Sequence, residues 1–480
     1  MREYKLFVGG EWIPTASGKV IDDINPSNGK VFAKVHTAGP IETEAAIKSA
    51  YEARQAWAEL PWRTKEQIFL DAAAHLEANK EEYCNILIEE SGSTYIKAMG
   101  ELGEGVDALR SAAEECKRVG GEIFTPECEG QLSFFIRQPL GVVAGISPFN
   151  YPLLTALGKA ALAMSAGNTF VLKPASDTPV SALIIAECFE KAGLPKGVLN
   201  VIPGSGAVVG DQLVNDHRIR MVTFTGSTDV GMQIAKQASR TLKKYTLEMG
   251  GKNPMIVLKD FDVDKAVRAA IFGAFFHQGQ ICMASNRIIV EKDIYDIFCS
   301  KLTEAAESLK VGDPHERDVV IGPLIREEQC ALIDEQIREA VSKGARVLTG
   351  GTHKGSFYQP TVIADVTPKM HIFYEESFGP VAVIVRAEDA EDALRLCNEN
   401  HYGLSSALLT NNLSLAIKMA QKMEAGMVHI NDATVLGSRR APFGGVKNSG
   451  FGRENGTFSI DEFTEKKWIT IQYGEKEYPI

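Results

Sequence analysis

Cys282 is the residue of this chain best placed to act as a nucleophile. It lies in Gly279-Gln-Ile-Cys-Met-Ala-Ser285, after a helix-like apolar run at 266–276 and before a strand-like segment at 288–290. A ligand can reach a thiol at such a junction, and a turn or helix end can lower the pKa of the thiol toward the reactive thiolate. Because cysteines are also common packing residues, the interpretation of Cys282 depends on polar residues elsewhere in the chain.

Two other residues could serve a reaction at that thiol. Glu248 ends an apolar segment before Met249-Gly-Gly251, where partial desolvation would raise its pKa into the range of a general base. Asn150 lies in the two-proline corner Ser147-Pro-Phe-Asn-Tyr-Pro152, and a stiffly held amide is a good donor to a developing oxyanion. A surface glutamate and an ordinary turn asparagine are the alternative interpretations.

Two further positions could hold a phosphorylated cofactor. Lys173 follows the apolar segment 170–172, and a cation at the carboxyl end of a strand can hold a ribose or a phosphate. Gly226 and Ser227 follow the segment 221–225 and open a helix-like run, where backbone N–H groups suit a pyrophosphate. The spacing is not G-x-G-x-x-G, so a solvated lysine and a plain strand-to-helix connector remain alternatives.

These residues follow segments that alternate between strand and helix patterns, which predicts parallel crossovers and doubly wound α/β sheets. The first series of strands is predicted at 142–147, 169–173, 198–202, 221–225 and 245–248. A second series, and so a second α/β domain, is predicted at 254–258, 287–290, 346–348, 381–385, 406–410 and 427–431. Residues 41–120 predict a layer of three helices. The alternating tail at 467–472 should pair with 131–138, within one subunit or across a dimer.

Composition narrows the class of protein. A chain of 480 residues with 45% hydrophobic and 24% charged residues indicates a globular protein of two or three domains. A net charge of −11 without a dense basic block argues against nucleic acid. The sequence lacks a membrane-spanning apolar run and a signal-peptide core, which favours the cytoplasm. Eight cysteines without C-x-x-C, and histidines without H-x-x-x-H, predict neither a disulfide framework nor a metal site.

Seven motifs in order along the chain resemble those of the aldehyde dehydrogenase superfamily. They are Pro148-Phe-Asn-Tyr-Pro152, Lys173-Pro-Ala, Phe224-Thr-Gly-Ser-Thr228, Leu247-Glu-Met-Gly-Gly-Lys-Asn-Pro254, Gly279-Gln-Ile-Cys282, Glu375-Glu-Ser-Phe-Gly-Pro380, and Pro442-Phe-Gly-Gly445 with Ser449-Gly450. The resemblance implies a Rossmann-type cofactor domain (1–120 and 140–249), a second α/β domain with the nucleophile (250–452), and a small β oligomerisation element (121–139 and 453–480). A homodimer or homotetramer is expected.

The resemblance also implies the site. Cys282 would be the nucleophile, Glu248 the general base that activates water, and Asn150 the oxyanion donor together with the N–H of Cys282. A thioester would form after hydride transfer to NAD or NADP, and the presence of Glu248 favours hydrolysis to the acid over transfer to coenzyme A. The implied cofactor contacts are Lys173, Ser176, Gly206, Gly226, Ser227, Met249, Glu376 and Phe378.

Departures from the family pattern bear on cofactor and substrate. Phe149 replaces a common tryptophan and Met249 a common leucine, while Ser176 stands where NAD-selective members carry a glutamate, so NADP should be tolerated. The residues expected around the aldehyde are apolar or aromatic, namely Phe149, Tyr151, Ile281, Met283 and Phe443. The segments Glu90-Ser-Gly-Ser-Thr94, Ile96-Lys-Ala98 and Ile281-Cys-Met-Ala-Ser285 resemble the vanillin and benzaldehyde dehydrogenase branch, which favours an aromatic aldehyde.

Three alternatives stay open. Arg439-Arg440 could bind the carboxylate of a semialdehyde, and short aliphatic aldehydes are also possible substrates. A cysteine hydrolase would need His277, which on a continuous helix would point about 140° away from Cys282. A catalytically silent protein would keep the fold and bind the cofactor without forming a thioester.

Overall fold

The computed structural model describes residues 2–479 and contains two large sheets. Five parallel strands form the centre of the first sheet, in the spatial order Lys244–Glu248, Ile219–Thr225, Val142–Ile146, Thr169–Lys173 and Leu199–Val201. The winding direction reverses at Val142–Ile146, between Ile219–Thr225 and Thr169–Lys173. In doubly wound sheets this switch point is where ligands bind, beyond the carboxyl ends of the strands. The antiparallel strands Leu6–Val8, Glu11–Ile13 and Gly450–Phe451 complete the edges.

Alternation of side chains explains why this sheet is buried on both faces. Val142, Ala144 and Val171 belong to one core cluster, whereas Val143 and Phe170 belong to the cluster on the opposite face. The α-helices that connect its strands are Leu154–Ser165, Pro179–Lys191, Asp211–Asn215 and Thr228–Ala238, with a π-helical turn at Gly206–Gly210 and a 3-10 turn at Ser239–Thr241.

The helical layer before this sheet has four helices, and the prediction of three is wrong. They are Pro40–Glu59, Trp62–Ala78, Lys80–Ser91 and Tyr95–Glu115. Three breaks separate them. Pro61 starts the second helix, Asn79 separates the second from the third, and Gly92 ends the third in the left-handed conformation at φ 65°.

The second large sheet follows the prediction, with one added strand. Its spatial order is Arg346–Thr349, Thr361–Ala364, Val381–Ala387, Arg287–Glu291, Pro254–Val257, Ser405–Leu409 and Met427–Ile430. All neighbours are parallel except the first pair, and Thr361–Ala364 is the strand that the sequence pattern missed. The α-helices of this part are Val263–Phe275, Tyr295–Glu307, Glu327–Ser342, His371–Tyr374, Ala390–Asn398 and Leu413–Ala420, with 3-10 turns at Phe276–Gly279 and Lys292–Ile294.

A three-stranded antiparallel sheet joins two distant parts of the chain. Thr464–Gln472 pairs along its full length with Gln131–Pro139, which also pairs with Gly121–Phe124. The predicted pairing of the tail is therefore confirmed within one chain. Helix Gly456–Glu462 leads into it, and the smaller sheets are Arg2–Tyr4 with Val31–His36 and Val20–Ile24, His353–Lys354 with Phe357–Tyr358, and Tyr402–Gly403 with Val446–Lys447.

Two features of the molecule bear on earlier expectations. The predicted α/β class is confirmed, since both large sheets are mainly parallel and carry helices between their strands. Across residues 2–479, none of the helices combines the length and apolar character needed to cross a membrane. The division into a cofactor domain, a catalytic domain and an oligomerisation element stays a prediction.

Candidate active site

Cys282 lies between the two large sheets, in a turn before strand Arg287–Glu291. Helix Val263–Phe275 ends before the cysteine, because His277 and Gln278 adopt left-handed backbone angles, φ 51° and 54°. The Asn253 side chain then donates to the carbonyls of Cys282 and Ala284 at 2.8 and 3.0 Å. The turn is thus fixed from the amino end of a neighbouring strand.

The surroundings of Cys282 disfavour its thiolate. Burial, and next the charges of Glu376 and Glu248, raise the pKa of the thiol to about 12, while the backbone N–H groups of Cys282 and Met283 lower it. The sequence pattern suggested a lowered pKa, and this expectation is wrong for the protein without ligands. Burial and two carboxylates that lie far from the cysteine in sequence account for the difference.

Glu248 ends the strand Lys244–Glu248 and is 4% exposed. Neither carboxylate oxygen has a hydrogen-bond partner among the described residues. Burial, and next the charge of Glu454, raise the pKa of this carboxyl well above its usual range. Such a group is protonated more readily than an exposed glutamate and is a stronger base once it has lost the proton.

The Asn150 side chain is anchored through one of its two N–H bonds. Its Nδ2 donates to the carbonyl of Gln280 at 2.9 Å, two residues before Cys282. The Asn150 carbonyl accepts from Lys97 Nζ and from His277 Nε2, each at 2.8 Å. A primary amide has two N–H donors, so the second remains for a ligand oxygen. His277 is engaged here, which argues against its pairing with Cys282.

A cavity of about 190 Å³ opens beside the thiol. It brings together Cys282, Glu248 and four of the five residues predicted to surround the aldehyde, Tyr151, Ile281, Met283 and Phe443. Phe149 lies elsewhere: its ring packs edge-on against Phe378, with the ring centres 5.7 Å apart. Apolar residues that the sequence did not indicate complete the lining, among them Leu154, Phe272, Phe276 and Val435.

Charged residues at this cavity are mainly acidic. Glu104, Glu248 and Glu454 line it, and Arg439 is the basic residue among the lining residues. Arg439 forms an ion pair with Glu104 at 2.5 Å. Arg440, which the sequence placed with it, is 80% exposed at its side chain and lies 3.7 Å from Glu114. A substrate carboxylate would therefore meet a cation that is already neutralised.

A buried lysine sits behind Glu454. Lys159 on helix Leu154–Ser165 is paired with the Glu454 carboxylate and donates to Thr223 Oγ1 at 3.0 Å. Thr223 Oγ1 in turn donates to Glu454 at 3.2 Å. This group lies close enough to Glu248 for the charge of Glu454 to raise, and that of Lys159 to lower, the pKa of that carboxyl. Helix charges of this kind resemble a solvated face in sequence, so no sequence signal identified them.

The predicted cofactor residues gather at the carboxyl ends of the first sheet. Lys173, Gly206, Gly226, Ser227 and Met249 all lie at or just after strands of that sheet. Ser227 precedes helix Thr228–Ala238 but makes no side-chain cap, so the first N–H groups of the helix stay available to an anion. Burial lowers the pKa of Lys173 to about 8. This edge fits the pyrophosphate and ribose of a dinucleotide.

Two further predicted cofactor residues are Glu376, which contacts the glycines after strand Lys244–Glu248, and Ser176, which follows strand Thr169–Lys173. A Glu376 oxygen accepts from the N–H of Gly251 at 3.2 Å, and a Cβ on Gly250 would lie 2.4 Å from the other oxygen. Only glycine leaves room for the carboxylate there. Ser176 is exposed, and its neighbour Asp177 is bound to Arg326 in an ion pair.

Comparison with known proteins agrees with this site. A model of the aldehyde dehydrogenase family matches residues 12–469. The chain is 39% identical over 476 residues to a benzaldehyde dehydrogenase of Bacillus subtilis (strain 168), covering 99% of this chain and 98% of that protein. It is 38% identical over 470 residues to the NADP(+) succinate-semialdehyde dehydrogenase of Escherichia coli (strain K12), covering 97% of each.

A solved structure shares the whole fold. The crystal structure of a salicylaldehyde dehydrogenase from Pseudomonas putida G7, complexed with salicylaldehyde, superposes with a TM-score of 0.97 at 35% identity and covers 100% of both chains. The chain belongs to the aldehyde dehydrogenase family. It is an NAD(P)-dependent aldehyde dehydrogenase, which confirms the resemblance found in the motifs. Relatives of both substrate types are about equally similar, so similarity does not choose the aldehyde.

Proposed function

We propose that this enzyme oxidises an uncharged aromatic aldehyde to the carboxylic acid, with Cys282 as nucleophile, Asn150 as oxyanion donor and Glu248 as general base. The observation that supports this proposal is the composition of the cavity at Cys282. Its walls are aromatic and aliphatic, and its basic residue Arg439 is neutralised by Glu104. An aromatic ring gains from burial against such walls, whereas a carboxylate would lose hydration without gaining a free cation.

In the first step Cys282 loses its proton to a base at the site, and its sulfur attacks the aldehyde carbon. The C–S bond forms as the carbonyl π pair moves to oxygen, where the free N–H of Asn150 and the N–H of Cys282 stabilise the alkoxide. NAD(P), when bound, supplies the hydride acceptor. The C–H pair leaves as hydride, the C=O bond re-forms, and an acyl thioester remains on Cys282.

In the second step Glu248 takes a proton from water as the water oxygen attacks the thioester. The tetrahedral adduct uses the same two N–H donors, and its collapse releases the acid and the Cys282 sulfur. One aldehyde, one oxidised cofactor and one water yield one carboxylate, one reduced cofactor and two protons.

The cofactor would be held along the carboxyl edge of the first sheet. Lys173 and Glu376 would bind the riboses, and the helix that starts after Ser227 would bind the pyrophosphate. Because Ser176 carries no charge, a 2′-phosphate meets no repulsion at that position, and we infer that NADP is used as well as NAD. Introducing the charge by Ser176→Glu should raise the KM for NADP about tenfold or more while changing the KM for NAD little.

The three-stranded sheet is the proposed oligomerisation element, formed from 121–139 and 453–480, and the cofactor and catalytic domains are proposed at the boundaries given above. Large apolar side chains of this sheet are exposed, with Ile123 at 77% and Trp468 at 67%. An exposed apolar sheet of this kind favours association with a second copy of the chain. Light scattering should give a dimer or tetramer, and Trp468→Asp should shift the mass toward the monomer.

The experiment that tests the substrate is a panel of aldehydes with each cofactor, followed by absorbance of the reduced cofactor. Benzaldehyde and vanillin should give kcat/KM at least about tenfold above succinic semialdehyde, because one unpaired charge in an apolar pocket costs more than about 1.4 kcal/mol. Preference for the semialdehyde would overturn the aromatic assignment. No turnover from protein that binds cofactor would favour a silent binder. Glu104→Gln removes the ion-pair partner of Arg439 and should therefore narrow the preference for aromatic aldehydes over succinic semialdehyde. Glu114→Gln, beside Arg440, is the control and should leave this preference unchanged.

A further inference from the structure

We propose that Lys97 is a positioning residue for the oxyanion side of the active site, acting with Glu101 through the backbone of Asn150. The inference rests on the proposed role of Asn150. Lys97 and Glu101 lie one turn apart on helix Tyr95–Glu115, and both side chains are completely buried. Neither residue lines the cavity, so any influence on the reaction must pass through another group.

Each N–H bond of the Lys97 ammonium has an acceptor. Nζ donates to Ser93 Oγ at 3.0 Å, to Glu101 Oε2, and to the carbonyl of Asn150 at 2.8 Å. A lysine has three such donors, so the head group is held in one place. The ammonium also lies 4.4 Å from the ring centre of Tyr151, a wall of the cavity.

Glu101 connects the same pair to the next helix. Its Oε1 accepts from the backbone N–H groups of Leu153 and Leu154, both at 3.0 Å, where helix Leu154–Ser165 begins. A carboxylate at a helix amino end is stabilised by the helix dipole. The corner that carries Asn150 therefore contacts the Lys97–Glu101 ion pair twice. The Asn150 carbonyl accepts from Lys97, and the N–H groups of Leu153 and Leu154 donate to Glu101.

His277 supplies a second donor to the Asn150 carbonyl, from the loop that carries Cys282. Burial and the charge of Lys97 lower the pKa of His277 well below its usual range, so the ring is neutral and Nε2 carries the donated proton. Two elements far apart in sequence thus meet on one carbonyl. The Asn150 side chain can then keep one N–H on Gln280 and present the other to the aldehyde oxygen.

Stability alone is a weak reason for a buried ion pair. In many proteins the lost hydration offsets the attraction, and apolar replacements of similar volume are tolerated. The Lys97–Glu101 pair instead orients Asn150, because an oxyanion donor is effective only when it is aligned before the charge develops. Loss of Lys97 should consequently slow the attack step more than it weakens substrate binding.

The test is a double-mutant cycle of Lys97→Met and Asn150→Ala in the full-length protein, read by acetyl transfer from 4-nitrophenyl acetate. In this reaction the Cys282 sulfur attacks the ester carbonyl, nitrophenolate leaves, and an acetyl thioester remains. No hydride moves, so the readout is independent of the cofactor and of which aldehyde is the substrate. Lys97→Met should slow the acylation rate about tenfold to a hundredfold with KM changed less than about threefold.

In the Asn150→Ala background, Lys97→Met should cause no further loss, since its effect passes through Asn150. Additive losses, or no loss in the single variant, would overturn the proposal. Lys65→Met is the matched control, because Lys65 is also a buried lysine that donates to a backbone carbonyl, that of Ala58 at 3.0 Å, outside the site. Should Lys97→Met not fold, the cycle with Lys97→Leu, which also removes the N–H donors, decides by the same criterion.

Acetyl transfer by the wild-type protein without oxidation of any aromatic aldehyde would count against the proposed substrate and leave the Lys97 result readable. No acetyl transfer by the wild-type protein would count against Cys282 as nucleophile. The two proposals therefore fail in different ways.

Discussion

Asn150 and Glu248 both lie beside the Cys282 loop, yet the protein holds them by opposite means. Asn150 is tied by its side chain to Gln280 and by its carbonyl to Lys97 and His277. Glu248 has no hydrogen-bond partner on either oxygen within residues 2–479. A donor that stabilises charge works best when fixed in advance. A base that must gain and lose a proton works best when its ionised form is poorly solvated, because its pKa is then high.

The largest expected effect is the pH dependence of alkylation at the Cys282 thiol, which lies between Asn150 and Glu248. Because the pKa of Cys282 is about 12, alkylation of Cys282 by iodoacetamide in cofactor-free protein should rise about tenfold per pH unit from about pH 7 to about pH 10. Peptide mass spectrometry measures this rate, with Cys282→Ala as the blank for that peptide. A plateau of the alkylation rate near pH 8 would mean that burial and the carboxylates of Glu376 and Glu248 do not raise the pKa of Cys282 in this way.

Removing the fixed donor should come next in size. Asn150→Ala should lower the pre-steady-state rate of reduced-cofactor formation by about 10²–10³, the usual cost of losing one oxyanion donor. Stopped-flow absorbance measures the burst. Asn150→Asp keeps the size but replaces the donor by an acceptor, so it should be at least as slow. A normal burst in both variants would contradict the role of Asn150.

Replacing Glu248, whose oxygens have no hydrogen-bond partner among the described residues, should affect a different step. Glu248→Gln keeps the shape, and since neither oxygen is bonded, the fold should tolerate it. Hydrolysis of the thioester should fall by about 10²-fold, as for loss of a general base, while the burst of one reduced cofactor per site remains. Acyl-enzyme mass should then accumulate on Cys282. Loss of burst and turnover together would mean that Glu248 acts before the thioester forms.

A smaller effect is expected from adding a methyl group next to the Glu248 carboxylate. A Cβ on Gly444 would lie 2.8 Å from a Glu248 oxygen, and its φ of +153° disfavours a side chain. Gly444→Ala should therefore displace Glu248 and slow steady-state turnover about tenfold with the burst retained. The control is Gly120→Ala, because a Cβ at Gly120 meets nothing within 4 Å and Gly120 is not among the residues that line the cavity. Equal effects of the two variants would refute the displacement.

Sequence reasoning singled out Cys282, Glu248 and Asn150 by the apolar segments beside them, and the family motifs suggested their roles. Glu248 and Asn150 follow strands of one parallel sheet, which brings such ends together, whereas Cys282 lies between a helix and a strand of the other sheet. Lys97, Glu104 and Glu454 lie on or after helices and loops, where a charge predicts solvent. The burial of Lys97, and the place of Glu104 and Glu454 at the cavity, arise only when elements far apart in sequence pack.

The errors have the same origin. The raised pKa of Cys282 depends on burial, and next on Glu376 and Glu248, neither of which is near it in sequence. The fourth helix of the amino-terminal layer was missed because Asn79 breaks the pattern for a single residue between Trp62–Ala78 and Lys80–Ser91. Phe149 was expected among the apolar residues around the aldehyde, but it does not line the cavity at Cys282 and its ring contacts Phe378.

The three-stranded sheet has a consequence for synthesis of the chain. Trp468 on its edge strand donates to Ser133 on the middle strand, across 335 residues of sequence. At about 5–20 residues per second, a ribosome needs about 20–70 s to make the residues between them. During that time the strand Gln131–Pro139 has one open hydrogen-bonding edge, so nascent chains should be most prone to aggregate, and to require chaperones, in this interval.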